Sequence, residues 1–217
     1  MNMLEAMQTR HSVRQYTDQA IEPEKRQMLE QLIQDINGEA GLHIQIFFDE
    51  PDCFNSMLAH YGKFSNVKNY ICLVGKQSDA LEETLGYYGE KIVLQAQMMG
   101  LRTCWVAMTH GKSKADIRKN EKQVCLLSLG YGETDGVAHQ NKPLERVCKN
   151  SENAPEWFLN GVNAALLAPT AMNQQKFCFT WQDDGTVKLS RGMGFYSKTD
   201  LGIVKYHFEL GSGRKLP

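Results

Sequence analysis

The stretch "GEKIVLQAQMMGLRTCWVAM", Gly89 to Met108, changes periodicity across a single glycine. On its upstream side Leu81, Leu85, Tyr88, Ile92, Ala96 and Met99 recur at helical spacing, and Gly100 is a good helix stop because it tolerates left-handed backbone. Immediately downstream, "RTCWVA" reads as a strand. Working toward the amino terminus, "NYICLVG" is a short buried strand and "LHIQIFF" alternates like one. Before them, "EPEKRQMLEQLIQDI" places Met28, Leu29, Leu32, Ile33 and Ile36 on one helical face, with Pro23 suited to the first turn.

Toward the carboxyl terminus the alternation continues. "QVCLLSLGYG" reads as a strand ending in a glycine-rich turn, and "GETDGVAHQNKPLERVCKNSENAP" as a polar connector. Pro155 opens a helix that buries Trp157, Phe158, Val162 and Leu166 and ends at "LLAPTAMNQQ". "KFCFTW" and "TVKLS" flank a "DDG" turn like a hairpin, and "KTDLGIVKYHFELGSG" is a last helix. Helices interleaved with short strands predict an α+β or α/β domain whose sheet is covered by helices. "GEKIVLQAQMMG" and "GIVKYHFELGSG" repeat the same glycine separation around an apolar core, which suggests two related halves.

Bulk composition narrows the function. The chain has 217 residues, with 42% apolar and 23% charged, ordinary for a soluble globular protein. Its 24 Lys and Arg against 25 Asp and Glu leave no overall field to attract nucleic acid or an acidic membrane, so neither is expected as a partner. Six cysteines lack any C-x-x-C pair, and six histidines lack H-x-x-x-H spacing. They read as reduced core thiols of an intracellular protein with no metal site. The amino terminus "MNMLEAMQTR" lacks an unbroken apolar core and no apolar run is long enough for a bilayer, so a cytoplasmic location is expected.

Three stretches carry chemistry. "RHSVRQY" packs Arg10, His11, Ser12 and Arg14 together with no acid among them. It reads either as a solvated basic turn or as a set of donors for one phosphate group, whose oxygens match the guanidinium fork. "LLAPTAMNQQKF" offers Thr170, Asn173, Gln174 and Gln175 on a loop, either as a polar turn or as neutral partners for a heterocycle edge or polyol. In "MMGLRTCWVAM", Gly100 and Thr103 precede a buried strand and read either as an ordinary helix-to-strand corner or as a place where exposed backbone N–H groups lie against a ring system.

Together these stretches resemble the FMN-dependent nitroreductases. "TRHSVRQYTDQAI" is similar to that family's amino-terminal phosphate-binding signature, and "APTAMNQQKF" to its small-residue, asparagine and glutamine loop. "GEKIVLQAQMMGLRTCWVAM" resembles its central helix and following strand, and "SLGYGE" the turn after its last core strand. The resemblance implies a three-layer fold in which a central, mostly antiparallel sheet is flanked by helices. It further implies that Arg10, His11, Ser12 and Arg14 hold the FMN phosphate and ribityl chain. Thr170, Asn173 and Gln175 would meet the ring or ribityl from the opposite side, with Leu101, Thr103, Cys104 and Trp105 nearby and Lys142 as a late basic residue near the phosphate.

The chain also departs from the usual pattern. The asparagine loop comes more than a hundred residues later than in ordinary members, Thr170 stands where serine is common, and Lys176 and Phe177 replace a proline and an aromatic residue. This arrangement is like that of a smaller branch made of two fused half-length units. The expectation is a pseudo-dimer of residues 1–150, bearing the arginine cluster, and 151–217, a shorter half bearing the asparagine loop. Such a chain would be monomeric with one flavin in a site shared by its halves, further self-association being left open.

The function implied is an oxidoreductase that uses FMN, with NAD(P)H as transient reductant, to reduce a small nitroaromatic or quinone-like acceptor. The cofactor carries the hard chemistry in such proteins, so no catalytic acid or base is assigned. The alternatives are a flavin carrier or redox sensor without turnover, and an interaction domain that has lost its flavin.

Overall fold

A computed structural model describes residues 1–216 and shows a mixed α+β architecture. In chain order the elements are α1 (Met3–Thr9), α2 (Pro23–Ala40), β1 (Gln45–Phe47), α3 (Met57–Tyr61), β2 (Asn69–Lys76), α4 (Leu81–Met98), β3 (Arg102–Val106) and β4 (Glu121–Gly130). There follow β5 (Cys148–Lys149), α5 (Glu156–Ala165), β6 (Phe177–Trp181), β7 (Val187–Arg191) and α6 (Ser197–Ser212). The elements fall into two compact units. One holds Arg10–Leu81 and Ile92–Ala138; the other holds Met1–Thr9, Glu82–Lys91 and the chain from His139 onward.

The first unit is built on an antiparallel sheet of order β1-β2-β4-β3. The inner strand β2 reads "NYICLVGK" and is buried over all but its last residue, which is why its sequence is a continuous apolar run rather than an alternation. A core of Val13, Tyr16, Phe54, Phe64, Tyr70, Val74, Val106 and Leu126, among others, packs in this unit. Phe54, Phe64 and Tyr70 meet there at 5.2 to 5.9 Å between ring centroids, within the range of favourable aromatic pairs. Helix α2 buries Leu29, Ile33 and Ile36, and Gly41 ends it in left-handed backbone. All six cysteines are free thiols, five of them buried.

The second unit pairs a small sheet, order β5-β6-β7, with α5, α6 and the first part of α4. Strand β5 lies within the stretch read as a connector. It pairs in parallel with β6 through Cys148↔Phe179 and Lys149↔Thr180, and burial of Val147 and Cys148 is what holds it. Phe179 stacks on Phe208 of α6 at 4.5 Å, and Phe158 of α5 meets the same ring at 6.0 Å.

Helices α4 and α6 touch backbone to backbone. A Cβ on Gly202 would collide with the Glu83 carbonyl oxygen and lie 2.6 Å from the Tyr87 nitrogen, so only glycine allows this crossing. Five residues along α6, the fully buried His207 meets the fully buried Glu90 of α4 at 2.9 Å. The other ring nitrogen of His207, Nδ1, lies 3.2 Å from the Ala164 carbonyl, which can only accept, so Nδ1 is the donor there. Among the described residues no helix is long and apolar enough to cross a membrane.

Because the atoms facing Gly202 are backbone, they cannot turn aside for a methyl group. Gly202→Ala should therefore destabilise the protein by about 1–3 kcal/mol or more, the usual cost of overpacking. Urea unfolding followed by circular dichroism measures this; a midpoint equal to that of the parent would contradict the crossing.

Candidate functional site

In the first unit the residues from Arg10 to Thr17 form a strap along the open edge of β3. The Val13 N–H donates to the Thr103 carbonyl at 3.0 Å, and Ser12 bridges Thr103 in the parallel sense. Farther on, Tyr16 N–H donates to Ser65 at 3.2 Å, Ser65 N–H returns a bond to Arg14 at 3.0 Å, and Thr17 N–H donates to Tyr131 at 2.8 Å. The strap thus borrows partners from three separate segments, as a peptide with unpaired backbone groups must.

Two side chains anchor it. Val13 and Tyr16 are each 2% exposed. The Tyr16 hydroxyl lies 2.8 Å from the Val13 carbonyl and 2.7 Å from Ser128 Oγ. A carbonyl only accepts, so the Tyr16 proton goes to Val13 and Ser128 donates to the phenolic oxygen. The turn after β4 closes over the strap from outside. Gly136, at φ 78°, has the His11 Cβ 2.7 Å from where its own Cβ would stand.

This anchoring brings Arg10, Ser12, Arg14 and Cys104 together. Burial pushes the Cys104 thiol up, while Arg14, a hydrogen bond with Ser12, and Arg10 all pull against it. Arg10 is buried at 3% exposure, and Arg14 is exposed with its guanidinium 5.9 Å from the Phe64 ring centre. Arg102 pairs with Asp135 and holds that carboxyl below its usual range, and His11 adds a smaller pull. Leu101 and Cys104 are buried to 1% or less, so backbone is what they can offer a ligand, and Trp105 is half-buried on β3.

In the second unit the loop from Thr170 to Gln175 carries the other predicted residues. Met172, Asn173 and Gln175 have φ of 51°, 51° and 40°, in the left-handed region that non-glycine residues seldom occupy. Each such residue costs about 1–3 kcal/mol, and clusters of them persist only where surroundings over-determine the backbone. The surroundings here are a polar network. Gln175, 2% exposed, donates from its amide to Asn173 Oδ1 at 3.0 Å and from its N–H to Thr170 Oγ1 at 3.0 Å. Asn173 donates to the Gln140 carbonyl at 2.7 Å but is itself exposed, so its amide keeps capacity for a further partner. Gln175 holds the loop; Thr170 and Asn173 are the groups it presents.

Lys142 belongs to the same network. Its ammonium donates to the carbonyls of Gln174 at 2.6 Å and Gln175 at 3.1 Å. Sequence reasoning missed one further member, Asp200 in the first turn of α6. Its carboxylate accepts from the Ala171 N–H at 2.9 Å and the Gln174 amide at 2.6 Å, and burial pushes its pKa up to about 6 against the pull of those two bonds. A signal was present: Asp200 stands in line with Ile203, Val204 and His207, an acid inside the apolar stripe of a helix.

The predicted site residues therefore form two clusters, one in each unit. The first is a cationic strap with a hydroxyl, chemically suited to an anion such as a phosphate monoester. The second presents neutral hydroxyl and amide groups, suited to a heterocycle or polyol. Both donor sets fit the parts of a flavin mononucleotide.

A family model described as "Putative TM nitroreductase" matches residues 2–212. Among solved structures, a "putative nitroreductase" of Thermotoga maritima superposes with a TM-score of 0.69 at 23% identity, covering 97% of this chain and 83% of that one. B. megaterium NfrA2 gives a TM-score of 0.55 at 15% identity, covering 75% and 78%. A Bacteroides thetaiotaomicron protein named "Putative NADH dehydrogenase/NAD(P)H nitroreductase" gives 0.52 at 20% identity, covering 67% and 95%. No curated protein matches this chain. At these identities the structures speak to fold alone, and that fold agrees with a family match that spans nearly every residue: the chain belongs to the nitroreductase family.

Proposed function

We propose that this protein is an FMN-dependent oxidoreductase that draws on NADH or NADPH and reduces nitroaromatic or quinone-like acceptors. The observation that carries the reading is the strap on the edge of β3, where Ser12 bridges Thr103 and Arg10, Ser12 and Arg14 recur at every second residue. Residues two apart along an extended segment project to one side, which gives the spacing of these three its physical sense.

Arg10 and Arg14 would hold the phosphate through charge-assisted bonds, with the Ser12 hydroxyl as a third donor. The loop of the second unit carries, in Thr170 and Asn173, neutral groups of the kind that a ring edge or ribityl chain takes, and Gln175 keeps that loop in shape. When bound, FMN supplies the redox chemistry, taking up hydride equivalents and passing them to an acceptor. The protein's part is to fix the phosphate, orient the ring and provide donors near developing negative charge. No acid or base is needed for that part.

Three outcomes are expected. The purified protein should carry FMN and not FAD, in a ratio of one per chain, because each signature occurs once and the strap suits a single terminal phosphate. Flavin extraction with chromatography, set against protein concentration, measures both; FAD alone, or two flavins per chain, would contradict them.

Arg14→Ala is the cleaner probe of the strap, since Arg14 is exposed while Arg10 also contributes packing. Either alanine variant should weaken FMN binding by roughly 1.5–3 kcal/mol, about tenfold or more, and lysine should recover only part because it lacks the planar fork. Fluorescence titration with FMN reads the change, and unaltered affinity in both variants would remove the phosphate assignment.

The loaded protein should also oxidise NADH or NADPH continuously when menadione or nitrofurazone is supplied. Flavin bound without such turnover would replace the enzymatic reading by that of a carrier or sensor.

A further inference from the structure

We propose that Asp200 and Lys142 are positioning residues that hold the Thr170–Gln175 loop in the one backbone conformation in which it can meet a flavin. This rests on the flavin reading above and adds to it the groups that prepare the loop.

Opposite charges grip the loop, one taking its donors and the other its acceptors. Asp200 takes donors, the Ala171 N–H at 2.9 Å and the Gln174 side-chain amide at 2.6 Å. Lys142 gives donors, to the Gln174 and Gln175 carbonyls at 2.6 and 3.1 Å, while its own N–H reaches Gln175 Oε1 at 2.8 Å. Gln174 is held from both sides, and its amide also reaches the Phe195 carbonyl at 2.7 Å. Two of the three residues with positive φ, Met172 and Asn173, lie between these grips and the third, Gln175, is gripped itself; such residues relax to ordinary backbone unless something prevents it.

A loop held only for stability would not need a charge at Asp200. The residue is 6% exposed and its two partners here are neutral, so burial raises its pKa to about 6. A carboxyl raised above its unfolded value stabilises the fold below about pH 4, and that contribution is lost as pH rises through about 6. At pH 8 the ionised group therefore works against folding. An asparagine in its place would still accept from Ala171 without that cost, but would set its own N–H₂ against the Gln174 amide. The charged residue gives up stability and gains a second acceptor for the loop.

The test compares the parent chain with Asp200→Asn, Lys142→Met and the double variant at pH 8. Thermal unfolding of each without flavin is measured beside its FMN dissociation constant. Asp200→Asn should melt at or above the parent temperature yet bind FMN roughly tenfold or more weakly, as loss of a supporting group typically does. Lys142→Met should weaken binding too, and the double variant by less than the product of the single effects, because both act on one loop. If the parent binds FMN and both single variants match it within about twofold, the positioning role is refuted. Loss of affinity only in step with a lowered melting temperature refutes it as well. A parent chain that binds no FMN overturns the flavin reading itself, a result that the variants' behaviour cannot imitate.

Discussion

The strap from Arg10 to Thr17 is fixed by its backbone, and the arginines follow from that. Val13 and Tyr16 are driven inward by their apolar surfaces, and each leaves main-chain groups that must find partners. Those partners are the edge of β3 at Thr103, the segment at Ser65 and the turn at Tyr131. Once these bonds exist, Arg10, Ser12 and Arg14 have no freedom to disperse.

The second unit solves a related problem with different chemistry. Its helices approach at Gly202 and share the buried Glu90–His207 pair, so α6 is set rigidly against the first part of α4. Removing either partner would leave the other's polar group without that bond in a dry interior, at a cost of about 1–3 kcal/mol or more. The first turn of α6 thus stands on a fixed support, and Asp200 reaches the Thr170–Gln175 loop from it. Polar groups in the loop satisfy one another, which makes an unfavourable backbone conformation sustainable.

The elements with a clear period were legible in the sequence. Helices α2, α4, α5 and α6 each bury a face of regularly spaced apolar residues, and β2 and β4 are apolar runs of the length expected for inner strands. Helix α3 was not legible, because its Met57, Leu58 and Tyr61 are exposed and give no amphipathic signal. Strand β5 is two residues long and is defined by parallel pairing with a strand far along the chain, which no local pattern encodes. In the site, the Arg10–Ser12–Arg14 spacing and the amides of the late loop were visible as residue types. Lys142 is legible as a late cation, but not the contacts its ammonium makes with the Gln174 and Gln175 carbonyls. Asp200 is marked locally as an acid in the apolar stripe of α6, but its partner Ala171 is 29 residues away and no local pattern encodes that bond.

The central claim is that the strap exists to hold a phosphate. Comparing FMN with riboflavin, which shares the ring and ribityl chain but lacks the phosphate, isolates that claim in the unaltered protein. Two charge-assisted contacts at roughly 1.5–3 kcal/mol each predict that FMN binds at least about a hundredfold more tightly, with an advantage that shrinks as salt is added. Equal affinity for the two flavins would contradict the account.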